Sequence, residues 1–181
     1  NFTIKLESKE LIKMCDVLSK GTPFCINFLK DVLIVNKNRF SVIWSSISPN
    51  ISDLFLNEDS IDDTLKLLQD ICIQCFDESI LSIISNSITK TDVKHRLVLF
   101  NLIRGILGHS SNKIEKNWNE VLTVVHPSNC LNDSDLLNSA FASLNIICND
   151  HLKNLTEEEM QSCISSIFEF AAQQIDINIS L

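Results

Sequence analysis

Two cysteines three positions apart are the first residues of this 181-residue chain that could do chemistry. Cys72-Ile73-Gln74-Cys75 is a CxxC motif, which can supply half of a zinc site or perform thiol–disulfide exchange. A zinc site needs further Cys or His ligands at a suitable spacing, and none follows nearby. Both cysteines also fall on the apolar stripe of a predicted helix, where a thiol packs as a small hydrophobic group. We therefore expect the pair to belong to the core.

Three further patterns could indicate an active site, and each has a simpler structural interpretation. Histidines stand at four scattered positions without an HExxH or GxSxG motif, namely His95, His109, His126 and His151. Gly105-Ile106-Leu107-Gly108 lacks the lysine of a phosphate loop and ends a predicted helix. The three glutamates at 157–159 complement the dipole of the helix they open. A Cys and a His could still meet in the fold, but we expect no enzyme, no cofactor and no metal.

Composition favours a helical protein. Hydrophobic residues make up 45% of the chain, whereas it contains only 3 Gly and 3 Pro. A strand-rich fold needs turn residues about every 10 positions, and these are missing. We therefore predict an all-α fold whose helices are joined by short connections.

Apolar spacing of three and four places helices along almost the whole chain. Gly21 ends the first helix, and Thr22-Pro23 opens the second. Pro49 is expected to kink or break the third, and Ser60 with Asp63 to cap the fourth. Gly108 is expected to stop a later helix, and Thr156 with Glu159 to form a capping box. The predicted helices after the first cover about 23–35, 37–55, 60–75, 79–86, 92–107, 114–125, 134–152 and the stretch from 156 onward.

The chain also resembles itself at a fixed offset. Trp118 follows Trp44 by 74 residues, and the same register aligns several other pairs. These pairs are Asn27 with Asn101, Lys30 with Arg104, Leu33 with Leu107 and Arg39 with Lys113. Half of the offset, about 37 residues, is typical of helical-hairpin repeats. The pattern predicts one continuous HEAT/armadillo-like solenoid over 1–181, in which the two tryptophans share a packing role between hairpins.

Charge is acidic overall, with a formal net charge of −8, and it comes in blocks. No face is basic enough to follow a nucleic acid backbone. The blocks are typical of solvated outer faces. The alternative is a basic strip that binds an acidic partner or lipid, formed by Lys90, Lys94, Arg96 and Arg104.

Seven cysteines, an odd number placed mostly in apolar segments, favour a reducing compartment. No apolar run is long enough to span a bilayer. The chain starts at Asn1 and stops within an apolar stretch, so we expect it to be a piece of a longer protein.

Several segments resemble the Mon-two family of large scaffold proteins, which is related to large Arf guanine-nucleotide exchange factors. Residues 36–44, NKNRFSVIW, are similar to the family pattern N-x-x-R-x-x-x-(L/I)-W, in which Asn36, Arg39 and Trp44 are matched. Trp118-Asn119-Glu120-Val121-Leu122 is similar to its GW…VL helix, and Ala140-Phe141 with Leu144, Asp150 and Leu152 to its AFQ-x-LQL…DFL stretch. Residues 178–181, NISL, resemble the family's LNISL. The resemblance covers about residues 24–181, in order.

This resemblance implies a peripheral protein of vesicle traffic at the cytosolic face of the trans-Golgi network and endosomes. Family members lack the exchange domain, bind a Dopey-type partner and associate with Arf-like GTPases. We therefore expect a non-catalytic scaffold segment that presents a protein-binding surface. One alternative is a regulatory HEAT-like region of a true Arf exchange factor, which flanking sequence would distinguish. Another is a nuclear-transport or adaptor-type solenoid, which the 36–44 segment disfavours.

Overall fold

Nine α-helices make up most of the computed structural model, which describes residues 2–55, 57–109, 111–114 and 116–179, with side chains up to residue 173. No strand occurs among these residues, so the all-α prediction is confirmed. The end of the family-like segment 178–181 lies outside the described residues. The helices are α1 (Ser8–Ser19), α2 (Pro23–Val35), α3 (Phe40–Leu54), α4 (Glu58–Gln74), α5 (Ser79–Ser87), α6 (Val93–His109), α7 (Trp118–Val124), α8 (Ser134–Ile146) and α9 (Glu157–Ile179).

Side chains near the helix ends explain where several helices begin. The predicted capping box is confirmed at α9, where Thr156 N–H donates to Glu159 Oε2 at 2.7 Å and Glu159 N–H donates to Thr156 Oγ1 at 3.3 Å. The predicted start of α4 at Ser60 is wrong. That helix begins at Glu58, because the Asn57 side chain accepts a hydrogen bond from Asp59 N–H at 3.0 Å.

Helix α3 continues through Pro49 to Leu54, so the chain does not break at this proline. Helix α6 ends at His109, one residue beyond the stop predicted at Gly108. In α3 the apolar stripe of Ile43, Ile47 and Ile51 is buried on both sides of the proline. Burial of this stripe outweighs the hydrogen bond that Pro49 cannot donate.

The chain separates into two compact units, residues 1–90 and 91–181, each with its own core. In the first unit α1 packs on α3, α2 on α4, and α3 on α5. In the second unit α6 packs on α8 and α7 on α9. Within each unit a helix therefore packs chiefly on the next but one along the chain, which places successive helices alternately in two layers. The single continuous array over 1–181 stays a prediction.

The 74-residue register corresponds to equivalent structure in the two units. The 3-10 turn Lys37–Arg39 follows α2, and the 3-10 turn Ser111–Lys113 follows α6 at the same offset. Asn27 of α2 donates to Asp63 of α4 at 2.9 Å, and its counterpart Asn101 of α6 accepts from Ser139 of α8 at 3.4 Å. The aligned asparagines thus join the same pair of helices in each unit.

No helix in the described ranges has both the length and the apolar character needed to cross a membrane.

Replacing two of the glycines by alanine should change the stability of the protein in opposite directions. A Cβ on Gly105, inside α6, would meet nothing within 4 Å. Gly105→Ala should therefore raise the free energy of unfolding by about 0.5–1 kcal/mol, because a flexible residue is removed from a helix interior. A Cβ on Gly21 would lie 2.6 Å from both Cβ and Sγ of Cys25. Gly21→Ala should lower stability, and urea unfolding followed by circular dichroism measures both changes. A stabilised Gly21→Ala variant would contradict the packing described here.

Candidate functional site

Asn36 and Arg39, predicted as repeat positions, hold the N-terminal segment onto the end of α2. Asn36 is buried, and its side-chain amide donates to Thr3 Oγ1 at 3.1 Å and to the Val32 carbonyl at 2.8 Å. Arg39 donates to the carbonyl oxygens of Leu6 at 2.7 Å and Thr3 at 3.1 Å, and also to Asn36 Oδ1. The two side chains therefore join the N-terminal 3-10 turn to the segment that follows α2 through hydrogen bonds to Thr3 and Leu6. Their role here is structural.

The two tryptophans both lie in cores, one in each unit. Trp44 is fully buried in α3, stacks on Phe40 at 5.4 Å between ring centroids, and donates from Nε1 to Ser79 Oγ at 2.9 Å. Trp118, at the first position of α7, is 1% exposed and faces the ring of His151 at 5.4 Å. Neither indole is available to bind a partner. The two tryptophans, which align at the 74-residue offset, are therefore both buried but contact different aromatic rings.

Replacing Arg39 should loosen the N-terminal segment. Arg39→Ala leaves two backbone carbonyls without their charged donor, which should lower the free energy of unfolding by about 1.5–3 kcal/mol. Lys37→Ala, in the same turn and exposed, is the matched control and should change stability by about 0.5 kcal/mol or less. Chemical unfolding of the three proteins gives the values, and equal stability of Arg39→Ala and Lys37→Ala would rule out this anchoring role.

The predicted basic strip has to be corrected at Arg96. This side chain is only 7% exposed, and its guanidinium donates from Nε to the Thr91 carbonyl and from Nη1 to the Asn129 carbonyl, each at 2.9 Å. Lys90, Lys94 and Arg104 are exposed. Lys94 and Arg104 lie about 15 Å apart along α6, given its rise per residue. Arg96 therefore belongs to the buried part of its own unit and not to an exposed strip.

Alanine substitutions at Arg96 and Arg104 should differ in their effect on the free energy of unfolding. Arg96→Ala should cost about 2–3 kcal/mol, because it leaves buried carbonyl groups without their charged donor. Arg104→Ala should lower the free energy of unfolding by about 0.5 kcal/mol or less, since Arg104 is exposed and donates a hydrogen bond to Asn101 on the same helix. Thermal unfolding of both variants tests this difference. If Arg96→Ala is as stable as Arg104→Ala, the buried role described for Arg96 is wrong.

The CxxC cysteines and two of the histidines have well-defined surroundings in the described part of the chain. Cys72 and Cys75 are buried as expected, and burial raises the pKa of the Cys72 thiol to about 12. His126 Nε2 lies 3.6 Å from Glu169 Oε2, and His95 Nδ1 lies 2.6 Å from Asp92 Oδ1 at the start of α6. No cluster of His, Cys, Asp and Glu there could hold a metal ion.

An apolar groove between α8 and α9 is a surface feature suited to binding. Its volume is about 440 Å³, and most of the surface that lines it is apolar. Phe141 of α8 and Phe170 of α9 meet there edge to face, with ring centroids 6.0 Å apart. The lining residues are Leu137, Asn138, Phe141, Ile167, Phe170 and Ala171.

Large apolar side chains beside the groove are open to solvent. Phe141 is 49% exposed, and on α9 Ile164 is 46% and Phe168 72% exposed. Ile164 and Phe168 are one helical turn apart and flank the lining residue Ile167. Helix α9 therefore has apolar residues on more than one face, so part of its apolar surface is left uncovered.

The two helices that form the groove carry only negative charge. Helix α8 contains Asp135, helix α9 contains Asp176 and glutamates at 157–159 and 169, and neither helix contains Lys or Arg. Gln173 Oε1, also on α9, is buried with no hydrogen-bond partner among the described residues, but Gln173 does not line the groove. The groove therefore has an apolar floor and lies between two helices that carry acidic side chains and no Lys or Arg.

Comparison with protein-family models, with curated proteins and with solved structures finds no match to this chain.

Proposed function

We propose that this chain is a non-catalytic HEAT/armadillo-like segment of a large scaffold, and that its work is to bind protein partners. The observation that carries this proposal is the apolar groove between α8 and α9, which Phe141 lines, together with the exposure of Phe168 next to the lining residue Ile167 on α9. Isolated apolar side chains are ordinary on protein surfaces, whereas a contiguous apolar groove is typical of an interaction site. A solenoid architecture is supported by the packing of each helix on the next but one within a unit and by the matched register of the two units.

The setting we propose is vesicle traffic at the cytosolic face of the trans-Golgi network and endosomes. It rests on the resemblance of residues 36–44 and the later segments to the Mon-two family. The partners proposed on this basis are a Dopey-type protein and an Arf-like GTPase. A regulatory region of a true Arf exchange factor would have the same helices, and an exchange assay on the longer parent chain would separate the two.

The occupant that suits the groove is an amphipathic helix with Lys or Arg beside its apolar stripe. A helix can lay such a stripe between two antiparallel helices, using anchors at three- and four-residue spacing. Basic flanks complement the acidic side chains of α8 and α9.

Binding should depend on the groove and not on exposed phenylalanines in general. Purified Dopey-type protein, Arf-like GTPase and a basic amphipathic peptide are each titrated onto the immobilised chain. Phe141→Asp and Phe168→Glu should weaken binding by about tenfold or more, as expected for aromatic anchors. Phe24→Glu, at an exposed phenylalanine of α2 in the other unit, is the matched control and should bind like the wild type.

The charge of the occupant is tested by salt. Affinity for a basic helix should fall as ionic strength rises, because its exposed charges are screened. If no partner binds, or if all three variants bind equally, the groove is not the site. Concentration-dependent dimers abolished by Phe141→Asp would mean that a second copy of the chain fills it instead.

A further inference from the structure

Two free thiols meet at the junction that follows α8. Cys148 Sγ and Cys163 Sγ lie 3.6 Å apart, and neither belongs to a disulfide. Cys148 stands in a short π-helical turn, Ile147–His151, whereas Cys163 stands in the second turn of α9. A sulfur–sulfur bond is about 2.05 Å long, so the two atoms need to approach by roughly 1.5 Å. Rotation between side-chain rotamers supplies movements of this size.

The two sulfurs differ in access to solvent. Cys163 is fully buried, but Cys148 is only partly buried and lines an open recess of about 470 Å³. The recess is large enough for a small peptide-like molecule, and it presents one cation, Lys153, and one carboxylate, Asp150. Its lining residues are Cys148, Asn149, Asp150, Leu152, Lys153 and Met160.

We propose that Cys148 and Cys163 are a reversible disulfide site, at which a low-molecular-weight disulfide such as oxidised glutathione enters the recess and reacts first with Cys148. The site is independent of the partner-binding role proposed above. It rests on the contact between the two sulfurs, the recess at one of them and the π-helical turn, a local irregularity that is frequent at functional positions.

The reaction proceeds in two exchanges whose atoms and electrons balance. The Cys148 thiolate attacks one sulfur of oxidised glutathione, the glutathione S–S bond breaks, and one glutathione thiolate leaves and is protonated. The Cys163 sulfur then attacks Cys148 in the mixed disulfide, loses its proton, and displaces the second glutathione thiolate, which is protonated in turn. Two protein thiols are oxidised to one disulfide, and one glutathione disulfide is reduced to two thiols.

Burial fixes the order of these steps. Desolvation raises the pKa of Cys163 to about 12, and the neighbouring Cys148 contributes in the same direction. A buried thiol with so small a thiolate fraction is a poor first nucleophile. Once Cys148 carries the mixed disulfide, Cys163 already lies against its sulfur, so the second exchange is intramolecular and needs no further access.

The cross-link would act on the hairpin that forms the apolar groove. It joins residues 15 positions apart, from the segment that ends α8 to the body of α9. A closed loop of this kind restricts the unfolded chain, so the oxidised protein should melt at a higher temperature than the reduced one.

Intact-mass spectrometry in glutathione redox buffers tests the site. All proteins carry Cys25→Ser, because Cys25 is the other partly exposed thiol among the seven cysteines. Oxidation should lower the mass of the parent by two hydrogen atoms, and peptide mapping should find Cys148 joined to Cys163. Cys163→Ser should stop at one added glutathione on Cys148, and Cys148→Ser should show neither product. Cys72→Ser, which removes one member of the CxxC pair, should behave like the parent.

Reduced and oxidised samples are compared by circular dichroism to show that each variant is folded. Stable glutathionylation of Cys148 in the parent without a cross-link would overturn the proposal. So would a disulfide at Cys72–Cys75, or the absence of any oxidation in buffers that oxidise a control dithiol.

Discussion

Each helix of this chain is apolar along a stripe that it cannot cover alone, and the burial of these stripes organises everything else. The solution within each unit is to pack a helix on the next but one, as α2 does on α4 and α6 does on α8. The side chains at these contacts, such as Leu29, Leu68 and Ile103, are completely buried. Apolar contacts do not fix the orientation of two helices by themselves, because they are non-directional. The hydrogen bonds of Asn27 and Asn101, which join the helices of each pair, are directional and help to fix it.

This arrangement creates a second requirement, since short connections leave backbone acceptors without helical partners. Both units use an arginine together with an asparagine to satisfy them. Arg39 binds carbonyls of the N-terminal segment, and Asn36 binds its Thr3 side chain. In the second unit Arg96 binds the carbonyls of Thr91 and Asn129, and the Asn129 amide binds carbonyls at the end of α7. A guanidinium offers several donors in a fixed plane, so one arginine side chain can bind the carbonyl oxygens of two separate backbone segments. Arginine and asparagine are common in binding sites, but in this protein these four residues stabilise the fold.

Incomplete burial is what gives the chain its candidate functions. Helices α8 and α9 have more apolar surface than their packing covers, which leaves Phe141 of α8 and Ile164 and Phe168 of α9 open and forms the groove between them. Acidic residues without any compensating Lys or Arg on α8 and α9 restrict the partners that suit it. The same hairpin holds Cys148 against Cys163, so the groove and the thiol pair share one structural element.

The amino-acid sequence by itself determined the helical class, most helix positions, the capping box at Thr156 and the repeat that aligns α2 with α6. These features depend on the spacing and type of residues close together in the chain, which periodicity and capping chemistry report directly. Only the tertiary structure decided that Arg96 is buried and that Pro49 lies within a helix. It also decided that Phe168 is exposed and that Cys148 touches Cys163. Each of these outcomes depends on which distant side chains meet, and local spacing carries no information about that choice.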